Sequence, residues 1–170
     1  QRRRSVLRDS RIALTESLVT ALAQAPRAKA PVFVQASAVG YYGQHATRSD
    51  ETDPPGEDFG GRLCADWEQA AGRIRAFGYR LLVLRLGLVL GPDGGILPPL
   101  RLSAKFGMAA VLGDGKQPFP WIHRDDVLAA IDFLVRDRRA EGPYNLCAPE
   151  VVDQGGFTRA LARSVSRPAW

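Results

Sequence analysis

The chain has 170 residues, 45% of them hydrophobic and 24% charged, with a formal net charge of +5. That length suits one domain able to bury a core, and the balance is that of a soluble globular protein rather than a disordered one. Its two cysteines, Cys64 and Cys147, exclude a disulfide scaffold and a paired Cys/His metal site and point to a reducing, cytoplasmic compartment; no apolar run reaches membrane-spanning length, so no membrane partner is expected.

In chain order, residues 5–25 read as a helix, with Leu7, Leu14, Leu18 and Leu22 at helical spacing and Pro26 as its stop. Pro31–Ala36 is a short apolar run suited to a buried parallel strand. Residues 37–57 are rich in Gly, Ser, Asp and Pro and read as a long loop, whose length alone makes it a functional candidate. Helical patterning returns over 58–77, with Leu63, Trp67, Ala70, Ala71 and Ile74 on one face. Tyr79–Leu86 is a second buried-strand pattern, and Gly91-Pro-Asp-Gly-Gly95 breaks the chain. A short helix is predicted over 98–108, a strand over 119–122, a helix over 125–136, a strand over 143–146 and a last helix over 156–166. Asp125 and Asp126 suit the first turn of their helix, where a carboxylate meets unpaired N–H groups. Alternating strands and helices predict an α/β fold, a doubly wound parallel sheet forming a single domain over residues 1–170. Ligands of such sheets sit beyond the carboxyl ends of the strands, which directs attention to the loops at Ser37, Gly87 and Asn145.

Arg2, Arg3, Arg4, Arg8 and Arg11 crowd the start of the chain, whereas Asp50, Glu51, Asp53, Glu57 and Asp58 crowd one loop. A basic arm is one way to bind nucleic acid. No aromatic interleaving or nucleic-acid motif accompanies it, so a solvated helix face is the favoured reading.

Several motifs carry a family resemblance. Ala36-Ser-Ala-Val-Gly-Tyr-Tyr-Gly43, Val83-Leu-Arg-Leu-Gly-Leu-Val-Leu-Gly-Pro92, the segment Gly113–Asp126 and Gly142-Pro-Tyr-Asn-Leu146 stand in the order expected of extended short-chain dehydrogenase/reductase proteins. Ser10-Arg11, Leu63-Cys-Ala-Asp-Trp-Glu68, Leu90-Gly-Pro-Asp-Gly-Gly95, Trp121-Ile-His123 and Ala148-Pro149 further resemble its epimerase-like subfamily, nucleoside-diphosphate-sugar epimerases also labelled cell-division inhibitors.

The resemblance implies an NAD(P)-binding Rossmann fold that here lacks its N-terminal βαβ half. Family members carry about 80 residues, including a glycine-rich dinucleotide loop, ahead of the point where this chain begins, a figure in keeping with domain sizes. The chain begins with Gln1 and has its only Met at position 108, which reads as a fragment. Without that half, the strand at 31–36 is expected to present an unpaired apolar edge, and the fragment alone to be poorly soluble. The resemblance further implies NADP, with NAD as the alternative, and a small-molecule substrate of the carbonyl or sugar-nucleotide class.

In this superfamily a Tyr-x-x-x-Lys pair works beside the nicotinamide. The Tyr is the general acid/base, and the Lys lowers its pKa and holds the ribose. With register set by Glu68, the Tyr position falls near Phe59 or Gly60 and the Lys position near Cys64. None of these can do the job. Ser37, just past a strand end, is a candidate to polarise a carbonyl, and Tyr41 is the candidate proton donor. Tyr42, His123 and Cys64 read as structural residues. Implied cofactor contacts are Arg11, whose donors suit a phosphate or ribose, Ser37, and the backbone at Gly87, Leu88 and Val89, where Gly87 permits close approach. Three classes therefore stay open: an NADP-dependent epimerase- or reductase-like enzyme, a non-catalytic NADP-sensing or partner-binding protein on the same fold, and a nucleic-acid module.

Overall fold

A computed structural model describes residues 2–25, 31–44, 48–150 and 152–170. Pro26, read above as a helix stop, lies outside the described residues. The contacts divide the chain into two compact units: Gln1–Leu86 with Phe133–Asn145, and Gly87–Asp132 with Leu146–Trp170.

The first unit is built on α1 (Arg2–Gln24), β1 (Val32–Ala38), α2 (Phe59–Gly72), β2 (Arg80–Leu86) and β6 (Gly142–Leu146). Its sheet has the order β1-β2-β6, and β1 runs parallel to β2 with Phe33 opposite Leu81 and Ser37 opposite Arg85. The Leu81–Arg85 run is buried on both faces, as parallel strands require. β1 lies at the edge of this sheet and shows the alternation of a half-covered strand: Phe33, Gln35 and Ser37 are buried, Val34 and Ala36 exposed. Phe33, Leu81 and Val83 form the core with Val19, Ala71 and Ile74.

Helix α1 packs on a face different from the predicted leucine stripe. Leu14 and Leu18 point to solvent, while Thr15 and Val19 are buried and Leu22 joins the core. That face continues toward the N-terminus as Arg11, Arg8 and Arg4. Arg4 lies over the Phe59 ring, Arg8 pairs with Asp66 at 2.7 Å, Arg11 lies over the Trp67 ring, and Glu16 pairs with Arg73. These contacts ascend together in both sequences, so α1 and α2 run parallel. At this end of α1, guanidinium groups over aromatic rings and an ion pair join the two helices. The predicted loop after β1 opens with a short 3-10 turn over Val39–Tyr42, and the predicted helix at 58–77 closes with a 3-10 turn over Arg73–Phe77. That closing turn ends on Gly78 in the left-handed region.

The second unit holds β3 (Leu88–Gly91), β4 (Gly94–Gly95), α3 (Leu97–Lys105), β5 (Trp121–His123) and α5 (Gln154–Ser164). Its sheet, ordered β4-β3-β5, joins a parallel pair, β3–β5, to an antiparallel pair, β3–β4. The sequence reading places a strand at 119–122, close to β5, but a loop at Gly87, where the chain instead enters β3 after a single residue. The Gly91–Gly95 break is a hairpin turned at Pro92 and Asp93, in which Gly91 pairs with Gly94. Pro98 and Pro99 occupy the first turn of α3, where missing N–H groups cost nothing. Asp153 caps α5 by accepting from the Gly156 N–H.

The remaining helix is α4 (Arg124–Arg136), with Asp125 and Asp126 in its first turn as expected. Its residues 124–132 fall in the second unit and 133–136 in the first. Within the first unit, the Arg80 guanidinium donates to the carbonyls of Leu134, Val135 and Ala140, closing the end of this helix with a cation.

Candidate active site

The first unit carries a continuous string of polar groups at the carboxyl ends of its strands. Arg85 is 3% exposed on β2. A charge inside a buried strand needs a partner, and Glu68 on α2 supplies a two-point one: Nε donates to Oε1 at 3.1 Å and Nη2 to Oε2 at 2.9 Å. The remaining donor, Nη1, reaches the Tyr42 hydroxyl at 2.9 Å and the Glu51 carbonyl at 3.3 Å. Burial opposes the Arg85 charge, but the bonds to Glu68 and Tyr42 outweigh it and hold the guanidinium pKa above its ordinary value.

Tyr42 donates its proton to Asn145 Oδ1 at 2.7 Å, and the Asn145 N–H donates to the Glu51 carboxylate. Burial pushes the Tyr42 phenol above its ordinary pKa, against the pull of its bonds to Arg85 and Asn145. At the other end of the string, Ser37 is 4% exposed and donates its hydroxyl proton to Glu68 Oε1 at 2.6 Å. Ser37 therefore keeps lone pairs to offer but directs its proton inward. Cys64 borders the same groups. Burial first, and then the Glu68 charge, push its thiol above the ordinary pKa, while hydrogen bonds to Ala38 and Ser37 pull the other way. It is a buried, protonated thiol, as the sequence suggested.

Tyr41 stands apart from the other hydroxyls. Its ring lies 3.5 Å from the Arg85 guanidinium carbon and meets the Tyr42 ring edge-on, centroids 5.3 Å apart. No hydrogen bond to its hydroxyl forms among the described residues.

Backbone packing holds this arrangement. The Gly56 N–H donates to the Tyr41 carbonyl at 2.8 Å. Asp58 caps α2 through the Gly61 N–H and also accepts from the Gln44 N–H. Gly43, Gly56 and Gly61 cross so closely that a Cβ at Gly61 would lie 2.1 Å from the Gly56 carbonyl oxygen.

Arg11, half-buried over Trp67, donates to the Leu7 carbonyl of its own helix. Trp67 in turn donates to Thr15. No carboxylate pairs with Arg11 among the described residues, so a half-buried cation keeps donors for an anionic or hydroxyl-rich ligand. That donor chemistry fits part of a nicotinamide dinucleotide.

The structure thus brings Ser37 and Tyr41 to one network and places Arg11 beside Cys64, within the same unit. Gly87, Leu88 and Val89 belong to the second unit. There the Gly87 N–H donates to the Leu146 carbonyl and the Leu88 N–H to the Pro120 carbonyl, and Leu88 and Val89 pair in the parallel ladder with Trp121 and Ile122. The close approach at Gly87 is to this unit's own chain: an added Cβ would lie 2.9 Å from the Pro120 oxygen. His123 accepts the Asp125 N–H on Nδ1 and so caps α4, a structural role. Sequence reading missed Arg85 as a site residue, although an Arg inside Leu81–Leu86 was a visible signal. Glu68 entered it only as a register mark.

Among the described residues, no group of His, Cys, Asp or Glu could hold a metal ion, and no helix is long and apolar enough to cross a membrane.

In parallel α/β sheets ligands bind beyond the carboxyl ends of the strands, which is where this polar network lies. The model of the NAD dependent epimerase/dehydratase family matches residues 2–147, and the chain belongs to that family. It is 42% identical over 95% of its length to an epimerase family protein of Mycobacterium bovis, covering 53% of that protein. It is 35% identical to the chloroplastic homolog of epimerase family protein SDR39U1 from Arabidopsis thaliana, covering 96% of this chain and 48% of that protein. The chain spans about half the length of the curated relatives it matches. Among solved structures, human SDR39U1 with NADPH superposes with a TM-score of 0.86 at 30% identity, covering 96% of this chain and 55% of that one. The Corynebacterium glutamicum nucleoside-diphosphate sugar epimerase gives 0.81 at 32% identity, covering 95% and 35%.

Proposed function

We propose that the whole protein is an NADP-dependent, epimerase- or reductase-like enzyme of a reducing, cytoplasmic compartment, acting on a carbonyl or sugar-nucleotide substrate. The observation that carries this reading is the string Ser37–Glu68–Arg85–Tyr42–Asn145 at the strand ends, with the Tyr41 hydroxyl beside it and unbonded among the described residues. The NADPH bound to human SDR39U1 supports NADP over NAD. Arg11 would meet a phosphate or ribose hydroxyl of the cofactor. Ser37 would accept from a ligand N–H or O–H. A reduced nicotinamide supplies a hydride when bound; Tyr41 is the group placed to move the accompanying proton.

A second reading, a non-catalytic NADP-sensing protein, is favoured by one observation. Phe59, Gly60 and Cys64 stand where the family's Tyr-x-x-x-Lys pair is expected, and burial keeps Cys64 protonated. Titrating full-length protein with NADPH, followed by fluorescence, tests both. Absence of binding sinks the enzyme reading. Binding followed by turnover against a panel of aldehydes, ketones and sugar nucleotides separates enzyme from sensor.

A further inference from the structure

We propose that Arg85 and Glu68 are positioning residues that present the Tyr41 hydroxyl as the proton donor of this site, in the place of the missing Tyr-x-x-x-Lys pair. The inference rests on the NADP-dependent enzyme reading and deepens it. It follows from where each hydroxyl proton goes. Ser37 gives its proton to Glu68 at 2.6 Å, and Tyr42 gives its own to Asn145 at 2.7 Å while accepting from Arg85. Of the hydroxyls on Ser37, Tyr41 and Tyr42, Tyr41 is the one with no hydrogen-bond acceptor among the described residues.

The same network fixes the Tyr41 ring from two sides. The guanidinium beneath it cannot swing, because Glu68 holds Nε and Nη2 while Tyr42 and the Glu51 carbonyl hold Nη1. The Tyr42 ring meets Tyr41 at an interplanar angle of 83°, and its own hydroxyl is tied to Asn145. A planar fork clamped by a carboxylate is a support that a lysine ammonium could not reproduce. It also sets a fixed positive charge beside the phenol from which the proton leaves.

The step balances. A reduced nicotinamide, when bound, would supply the hydride: its C–H bond would break as the carbonyl carbon gains one, leaving the oxidised cofactor, and the carbonyl π pair would move to oxygen. The Tyr41 O–H bond would break as the product O–H bond forms, and one proton taken up from bulk solvent would restore the phenol.

The test uses full-length protein and three readouts: the NADPH Kd by fluorescence, NADPH oxidation with a panel of aldehydes, ketones and ortho-quinones, and the Tyr41 ring signals of 13C-tyrosine-labelled protein, assigned with Tyr41→Phe. The expected result is that Tyr41→Phe leaves the NADPH Kd unchanged and lowers kcat about 100-fold or more, the scale of a lost general acid. In Arg85→Lys the Tyr41 ring signals shift and average through faster ring flips, and kcat falls while the NADPH Kd holds. Arg85→Lys keeps the charge, so a fold too weakened to measure is not expected; Tyr41→Phe removes one oxygen and serves as the second variant. Wild-type turnover in Tyr41→Phe overturns the proposal, as do Tyr41 signals unchanged in Arg85→Lys. NADPH bound without turnover of any panel member overturns it while sparing the cofactor reading. Failure to bind NADPH overturns both.

Discussion

The guanidinium carbon of Arg85 lies 3.5 Å from the centre of the Tyr41 ring, while the same group is paired at two points with Glu68. One buried cation thereby organises the ends of β2, α2 and the turn after β1.

Breaking this pair by removing one charge leaves the other buried. Arg85→Met is expected to cost about 3–5 kcal/mol in the denaturant unfolding of full-length protein. The double variant Arg85→Met with Glu68→Met should recover much of that loss, since no charge is then stranded. A single variant as stable as the wild type would show the pair to be solvated.

The glycine crossing makes a steric prediction with its own control. Gly61→Ala would place a Cβ 2.1 Å from the Gly56 oxygen, whereas a Cβ at Gly40 meets nothing within 4 Å. Gly61→Ala should therefore cost about 1–3 kcal/mol or more, the range for overpacking. Gly40→Ala should leave the melting temperature close to that of the wild type. Equal melting temperatures for the two would refute the tight crossing.

Cys64 is predicted to resist alkylation. Its pKa is raised by burial and the Glu68 charge, so at a given pH less of it is thiolate than in an exposed cysteine. Mass spectrometry after iodoacetamide treatment should show Cys64 labelling slower than a cysteine peptide, with its rise displaced to more alkaline pH. Rapid labelling at neutral pH would contradict the burial.

Arg11 tests the cofactor assignment without turnover. A charge-assisted hydrogen bond contributes about 1.5–3 kcal/mol, so Arg11→Gln is expected to raise the NADPH Kd of the full-length protein roughly 10- to 100-fold. An unchanged Kd would return Arg11 to a purely structural role over Trp67.

Much of this architecture was legible in the sequence. The strands at 31–36 and 79–86 and the acidic first turn of α4 each act through local chemistry, and each falls close to its predicted place. What escaped depended on partners distant in sequence. The packing face of α1 was misread because the contacts of Arg4 and Arg11 exist only where Phe59 and Trp67 of α2 lie beneath their guanidinium groups. The pairing of β3 with β5 escaped because Leu88–Leu90 finds its partner strand, Trp121–His123, far along the chain. In the site, Ser37 and Tyr41 are candidates because they follow a strand. The groups they touch, Glu68 for the Ser37 hydroxyl and Arg85 for the Tyr41 ring, are connected to them by no spacing rule.

The crossing of Gly43, Gly56 and Gly61 also bears on how this family can diversify. The chain leaves and re-enters at one pinned neck, closed by the bond from Gly56 to Tyr41 and the Asp58 contacts. Glu51 lies within that span and ties it back to the network, accepting from Arg85 on its carbonyl and from the Asn145 N–H on its carboxylate. The span is therefore tethered at Glu51 as well as at its glycine ends, and only changes that keep those tethers in place alter the surface without disturbing the support of Tyr41.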